Sequence, residues 1–381
     1  MQRQTLTEKI EEAAIEIGFD SIGFTSSNSF ESTEKIIIDR IDKNLLSGLP
    51  WFTKKRAKRG SNPKEILPEA KSIISLSLSY YNPKITGLNK KPTGKIAMYA
   101  WGEDYHRIFK RKMKDFISNI EKIVGKPIKT HWYTDTGPMS DRAVAQRSGL
   151  GWFGKNTNLL TPTGSWVVLG QIITDIDLES SDQSKKSCGN CTLCIDACPT
   201  NAIIGPGILD NNKCISYQTI ENKGPIPLNL RKQIGNWIFG CDICQDVCPV
   251  NRKSQLGAAY NEFSQPDENR INPELLEILG MSNEDFKKRF AKSPVLRAKI
   301  NGMKRNVCVA LGNIKDPSTV QGLSSALDTE EPIVRGHAAW ALGEIGGEEA
   351  LTALIIHRGK EKDNYVIEEI NGALDRQIGK G

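Results

Sequence analysis

No stretch of this 381-residue chain approaches the roughly 20 consecutive apolar residues of a membrane helix, so no membrane span is expected. The N-terminus also lacks the apolar core of a secretory signal. Instead Thr5 and Glu8 stand at capping-box spacing, and Ile10, Ala13, Ala14 and Ile17 recur on one helical face, which reads as the first helix of a cytoplasmic protein. Neither a Rossmann glycine fingerprint nor a Walker loop occurs, which argues against the usual dinucleotide and nucleotide sites. Cysteine is nearly confined to one segment: of nine, eight fall between Cys188 and Cys248, and only Cys308 lies elsewhere. A disulfide framework would spread its cysteines through the fold, whereas tight clustering reads as metal ligation in a reducing compartment.

Acid is missing from two stretches. Trp51–Lys64 holds six Lys or Arg and Lys287–Arg305 holds eight, with no Asp or Glu in either. One such run is usually solvated surface. Two favour an anionic partner, of which nucleic acid is the commonest large one. The composition, 38% hydrophobic and 25% charged, suits an ordinary soluble protein of two or three domains.

Residues 1 to about 177 mix helical and strand patterns. Ser72–Ser79 alternates Ile74, Leu76 and Leu78 with serines and reads as a strand, as do His131–Thr134 and Trp166–Ile173. Lys110–Ile123 has helical apolar spacing. Pro138 is placed to start a helix that carries Arg142 and ends at Gly149. A polar link, Leu178–Ser187, leads into the cysteine segment. Near the C-terminus Asn306-Val-Cys-Val-Ala-Leu-Gly312 is echoed by His337-Ala-Ala-Trp-Ala-Leu-Gly343, with a degenerate third copy near Val366. Paired helices at this period stack as a short HEAT-like α-solenoid. The expected fold class is α+β, in three parts: an α/β domain over 1–177, a ferredoxin-type domain over 178–260 and the helical repeats over 261–381.

The cysteines carry the sharpest signal. Cys188-x2-Cys191-x2-Cys194-x3-Cys198-Pro199 is the bacterial ferredoxin run, in which the fourth cysteine ligates the other cluster. The second half is stretched, with Cys214 standing apart from Cys241-x2-Cys244-x3-Cys248-Pro249. The same crossing rule assigns Cys188, Cys191, Cys194 and Cys248 to one [4Fe–4S] cluster, and Cys198, Cys214, Cys241 and Cys244 to a second. Zinc explains Cys-x2-Cys pairs but neither the third cysteine nor the Cys-Pro. Clusters move single electrons, so another part of the chain should use them. Three glycine-rich segments are candidates: Asp135-Thr-Gly-Pro-Met-Ser-Asp-Arg142, Gly149-Leu-Gly-Trp-Phe-Gly-Lys-Asn156 and Gly164-Ser-Trp166. They suit a large polar cofactor lying on exposed backbone, or merely turns.

Asp135-Thr-Gly-Pro, Gly149–Asn156 and both cysteine motifs, together with Tyr99-Ala-Trp-Gly-Glu-Asp-Tyr-His106, Cys214-Ile-Ser-Tyr217 and Gly240-Cys-Asp-x-Cys-Gln245, make the chain resemble the epoxyqueuosine reductases, relatives of the corrinoid-dependent reductive dehalogenases. The resemblance spans most of the first 250 residues. It implies reduction of epoxyqueuosine to queuosine at the tRNA wobble position, with electrons passing from an external donor through two clusters to a base-off cobalamin in the N-terminal domain. The family's acid falls on Asp135, at the end of the expected strand His131–Thr134, with Asp104 and His106 as assisting groups. Arg142, Lys155, Asn156, Ser165 and Trp166 become candidate corrin contacts. No Asp-x-His-x-x-Gly motif offers a lower histidine to cobalt. The basic residues Lys287, Lys288, Arg289, Arg297, Lys299, Lys304 and Arg305 become candidate contacts to the tRNA, with Lys54–Arg59 a second contact or a cofactor-phosphate site. A monomer is expected. Two other readings stand beside this one. A small-molecule reductive dehalogenase is opposed by the repeats and by the lack of a twin-arginine signal. An electron carrier on a scaffold would leave Asp135 without a role.

Overall fold

The structure, a computed structural model, describes residues 3–83, 91–264 and 268–378. By contacts the chain forms two units. The first comprises Met1–Pro83, Gly102–Asn212 and Ile243–Ser264, and the second Lys84–Trp101, Lys213–Asp242 and Gln265–Gly381. Residues 178–260, expected as a single domain, thus contribute to both.

The first unit is built on four strands, β1 (Ser21–Ser26), β2 (Ser72–Ser79), β3 (Thr130–Tyr133) and β4 (Val167–Thr174). Their order is β1–β2–β4–β3, and every pairing is antiparallel. β2 has the expected bounds, while β3 and β4 are each displaced by one residue. All eight residues of β2 are buried, the serine side included. The small serine side leaves room for a second layer. There Ile73, Tyr133 and Ile173 form one core with Met139 and with Ala143 and Val144 of the short helix Asp141–Arg147. Two of the buried hydroxyls of β2 find partners, Ser77 bonding Ser21 and Ser72 accepting from the Leu178 N–H at 2.9 Å, while Ser75 Oγ is buried without one.

The helices of this unit are α1 (Arg3–Ile17), α2 (Tyr105–Val124) and α3 (Asp141–Arg147). α1 starts before the expected cap, so Thr5 lies inside it. α2 buries Ile108, Phe109, Met113, Phe116 and Ile120 on one stripe, each side chain contributing about 1.5–3 kcal/mol before entropy. Phe19 stacks against Phe109 and Phe116 at 5.9 and 5.8 Å. The close approach of helix to sheet depends on Gly170 in β4, where a Cβ would come within 2.4 Å of Met113 and 2.6 Å of Phe109. Asp104 caps α2 by accepting from the His106 N–H, and Gly125, at φ 76°, ends it. α3 begins at Asp141 rather than Pro138, because Pro138–Ser140 belong to the turn after β3.

The second unit carries the repeats as α4 (Lys299–Ile314), α5 (Val320–Ala326), α6 (Pro332–Ile345), α7 (Glu348–Lys360) and α8 (Asn364–Ile378). α4, α6 and α8 pack in succession, with α5 and α7 alongside. The echoed glycines explain the motif. A Cβ on Gly312 would meet Trp340 at 2.6 Å and Ala341 at 2.9 Å, and one on Gly343 would meet Ala373 at 2.7 Å. Each repeat glycine therefore lets the next helix sit close. The echoed polar positions both satisfy buried backbone groups. Asn306 donates to the Thr219 and Ile238 carbonyls at 2.8 Å, and His337 Nε2 accepts from the Ile226 N–H at 3.1 Å. Burial keeps His337 well below the ordinary histidine range, consistent with a neutral acceptor. Beneath them Arg231 forms a bidentate pair with Glu369 at 2.8 and 2.5 Å, both nearly free of solvent.

Candidate active site and cluster site

β3 ends at Tyr133, and the chain turns through Thr134–Ser140 before entering α3. Asp135 sits in this turn at φ 55°, a left-handed conformation that Asp tolerates better than most residues. Its side chain is 61% exposed, so any desolvation of this acid must come from what binds over it. Tyr105 Oη donates to Asp135 Oδ2 at 2.8 Å, and His106 Nε2 lies 4.0 Å from the same oxygen. That Nε2 is buried and has no hydrogen-bond partner. The other ring nitrogen is 2.8 Å from Asp104 Oδ1, and the His106 ring stacks on Tyr105 at 4.2 Å. Burial alone would raise Asp104, but hydrogen bonds from His106 outweigh it and hold the carboxyl below its ordinary value.

Behind Asp135 stands a group to which the sequence reading gave no role. Asp141 Oδ2 accepts from the Asp135 N–H at 3.1 Å, and Asp141 Oδ1 accepts from Gln171 Nε2 of β4 at 2.6 Å. Burial, with the nearby charge of Asp135, pushes the Asp141 carboxyl up to about 8, against the smaller opposing effects of the Asp135 N–H bond and then of Arg142 and Arg56. Arg142 follows on α3 and donates to the Thr157 carbonyl. Its side chain reaches solvent, yet enough protein surrounds it that desolvation lowers its pKa, with Arg40 adding to the effect. A cation that reaches solvent while nearby protein desolvates it is suited to an anionic or amide-rich ligand.

The cysteine segment in the first unit contains two short helices that pack together, Leu193–Asp196 bearing Cys194 and Ile243–Asp246 bearing Cys244. Cys188, Cys191, Cys194 and Cys248 line one cavity of about 160 Å³, several times the ~30 Å³ share of a water molecule. This is the first ligand set of the crossing rule. Among the described residues no three His, Cys, Asp or Glu side chains form a single-ion site, so the thiols surround a space rather than converge on a point. Burial, then the neighbouring thiol of Cys188, pushes Cys194 up; burial is also the main cause raising Cys248. Metal binding must supply the deprotonation of such thiols. In the second set Cys198 and Cys244 are half-buried in the first unit, and Cys214 and Cys241 half-buried in the second. Cys198 Sγ accepts from the Ala202 N–H at 3.3 Å. Cys308 is fully buried, with its thiol pushed up to about 12, and stands outside both sets.

The candidate corrin contacts are not gathered in one place. Lys155 and Asn156 line the thiol cavity with Trp152 and Leu160. Lys155 Nζ donates to the Gly189 carbonyl at 2.7 Å, and Asn156 Nδ2 to that of Cys244 at 3.2 Å. Ser165 is buried: its hydroxyl accepts from Gln245 at 3.0 Å and from Asn251 at 2.9 Å. Trp166 packs edge-on against Tyr80. Lys155, Asn156 and Ser165 tie the glycine-rich loops to the cluster segment, which leaves Arg142 beside Asp135.

The basic run divides likewise. Lys287 and Lys288 are exposed at the end of the helix Asn283–Arg289, and Lys299 is exposed as well. Arg289 pairs with Glu277, and Arg297 with Glu221. Lys304 is half-buried, and desolvation lowers its pKa. Arg305 corrects the expectation of a phosphate contact. It is wholly buried and donates to the carbonyls of Gln218, Asn222 and Gly224 at 2.6, 2.7 and 2.7 Å, so no donor faces solvent. In the other run Lys54 pairs with Asp42, while Arg56 donates to the Gly137 carbonyl at 2.5 Å and the Thr136 carbonyl at 3.5 Å. Sequence reasoning thus missed Tyr105, Arg56 and Asp141. Tyr105 had a signal in its place between Asp104 and His106; the other two had only membership of longer motifs.

Residues 61–136 match the family described as Epoxyqueuosine reductase QueG, residues 187–251 a 4Fe-4S double cluster binding domain, and residues 301–375 HEAT repeats. An epoxyqueuosine reductase of Bacillus cereus is 38% identical over 368 residues, 94% of each chain. A crystal structure of epoxyqueuosine reductase with a tRNA-Tyr epoxyqueuosine-modified tRNA stem loop superposes with a TM-score of 0.92 at 34% identity, covering 98% of this chain and 99% of that one. An epoxyqueuosine reductase from Bacillus subtilis, whose aspartate catalytic loop is swung out of the active site, superposes with a TM-score of 0.89 at 33% identity, again covering 98% and 99%.

Proposed function

The chain belongs to the epoxyqueuosine reductase family, and from that premise we propose that it reduces epoxyqueuosine to queuosine in tRNA, with Asp135 as the proton donor. Removing the epoxide oxygen as water breaks two C–O bonds, leaves a C=C bond and consumes two electrons and two protons. The observation that carries the reading is that one unit holds both supplies: four thiols around a cavity, and an exposed Asp135 flanked by Tyr105 and His106.

The eight clustered cysteines would hold two [4Fe–4S] clusters, which would supply single electrons from an external donor. The family resemblance adds a base-off cobalamin, and the residues fit such a group. Arg142 is enclosed yet accessible, and His106 Nε2 is buried without a partner beside the open Asp135. Arg142 would contact its amide or phosphate groups. When bound, cobalamin supplies the low-potential electron chemistry that an epoxide requires. Asp135 meets the developing alkoxide, and a proton delivered as the C–O bond breaks lowers the barrier. Tyr105, bonded to the same carboxyl oxygen, fixes which way the acid points. His106, held by Asp104, is placed to return a proton to Asp135 after each transfer.

The substrate base must leave the anticodon stack to reach Asp135, as for other enzymes acting on a single base. Lys287, Lys288 and Lys299 are exposed cations free to hold phosphates. The chain is expected to work as a monomer. The test is anaerobic turnover of an epoxyqueuosine stem loop by protein loaded with clusters and cobalamin under a strong reductant. Formation of queuosine supports the reading. No turnover despite intact cofactors contradicts it and favours a small-molecule reductase.

A further inference from the structure

The Thr134–Ser140 turn is gripped from two sides by side chains that touch neither the acid's carboxyl nor the cysteines. On one side Asp141 Oδ2 takes the Asp135 N–H at 3.1 Å, and Gln171 Nε2 of the central strand β4 anchors the same carboxyl at 2.6 Å. On the other, Arg56 Nη2 takes the Gly137 carbonyl at 2.5 Å and reaches that of Thr136 at 3.5 Å. Between the grips the backbone is over-determined. A Cβ on Gly137 would fall 2.0 Å from the Tyr133 ring, and one on Gly60, which ends the helix bearing Arg56, would fall 1.9 Å from the Pro138 carbonyl. Asp135 holds a left-handed conformation that costs energy in a non-glycine residue, and it does so with an exposed side chain that packing does little to restrain.

We propose that Asp141 and Arg56 are positioning residues that latch the Asp135 turn inward, setting how much of the time the acid faces Tyr105 and the substrate. The latch rests on Asp135 being the acid of the reaction. A carboxyl is suited to this place because its oxygen accepts the Asp135 N–H whether or not it carries a proton. Burial opposes its charge, the Asp135 carboxylate adds to that effect, and Arg142, Arg56 and Tyr133 are the other titratable groups facing it. Asp141 is thus kept beside the acid at a cost in stability, as expected of a residue retained for function. In a solved relative the aspartate catalytic loop is swung out of the active site, whereas here Asp135 faces Tyr105.

The test compares Asp141→Ala, Asp141→Asn and Arg56→Met in the cluster-loaded, cobalamin-supplemented full chain. Two quantities are read: kcat and KM for a stem loop, and amide hydrogen exchange over residues 134–140. Asp141→Ala should lower kcat roughly 10- to 100-fold, the scale of a misplaced catalytic group, with KM little changed. It should also lose protection at the Asp135 amide. Asp141→Asn, which keeps an acceptor, should recover most of both losses, and Arg56→Met should loosen the turn independently if Asp141→Ala folds poorly. Unchanged exchange and kcat in both Asp141→Ala and Arg56→Met would overturn the latch. So would an effect confined to KM, or an Asp141→Asn protein as slow and as unprotected as Asp141→Ala. Absence of wild-type turnover would count against the proposed reaction, while the exchange data would still judge the latch.

Discussion

Tyr105 Oη and Asp135 Oδ2 are 2.8 Å apart, joining the first residue of helix α2 to a turn that leaves strand β3. This hydrogen bond fixes the direction of a carboxyl that is otherwise open to solvent. Tyr105→Phe keeps the ring stacked on His106 and deletes only the hydroxyl. Single-turnover rates should fall about tenfold, equivalent to one hydrogen bond of ~1.4 kcal/mol, with stem-loop affinity unchanged. A variant as fast as wild type would remove Tyr105 from the site.

Asp141 gives a pH signature. Its carboxyl is pushed up to about 8 in the folded protein, from an ordinary value of 3.8. Between these values the folded state keeps a proton that the unfolded chain has released. Its contribution to stability is therefore fully present below about pH 4 and is lost as pH rises toward 8. Asp141→Asn should flatten that slope and be more stable than wild type at neutral pH, in denaturant titrations across this range. Parallel slopes for the two proteins would show that Asp141 is not the buried acid described.

The basic run from Lys287 to Arg305 divides into exposed residues, to which the proposed function gives the tRNA contacts, and residues that hold the fold. Lys287→Ala with Lys288→Ala should weaken tRNA binding and reduce the slope of log K against log salt by up to ~0.9 for each phosphate no longer neutralised. Arg305→Ala should leave that slope unchanged and cost about 3 kcal/mol or more of stability, because one buried and two part-buried carbonyls lose a charged donor. The reverse pattern would put Arg305 at the tRNA surface.

Cys248→Ala should remove about half of the bound iron if, as the crossing rule assigns, it shares a cluster with Cys188, Cys191 and Cys194, beside which it lines one cavity. Cys308→Ala should leave iron content unchanged, its thiol being buried and held protonated. Iron analysis and electron paramagnetic resonance of anaerobically reconstituted protein distinguish the two. Equal iron in Cys248→Ala and wild type would break the crossing rule.

Much of this was legible in the sequence because it was written at short range. The Ser72–Ser79 alternation set a strand to the residue, and cysteine spacing named four thiols that the fold brings around one cavity. The HEAT-like period surfaced as Gly312 and Gly343, whose missing side chains are felt by the next helix. What stayed hidden depends on residues distant in sequence. The buried serine face of β2 requires α3 to lie over it. Arg305 looks like one more cation in a run until the carbonyls of Gln218, Asn222 and Gly224 close around it. Asn156 and Ser165 look like cofactor donors until Cys244, Gln245 and Asn251 claim them. Asp141 stood in a quoted motif, but its role depends on Gln171, thirty residues further along the chain.

The central claim is that Asp135 delivers a proton to the epoxide oxygen. The most direct measurement is single-turnover conversion of epoxyqueuosine in a tRNA stem loop by wild type and Asp135→Asn, with iron content and cobalamin binding matched between them. The account predicts conversion by wild type and a loss of roughly 100-fold or more in the variant, which starts at the lower end of what a positioned general acid supplies. Equal rates in the two proteins would contradict it and move the proton donor away from Asp135.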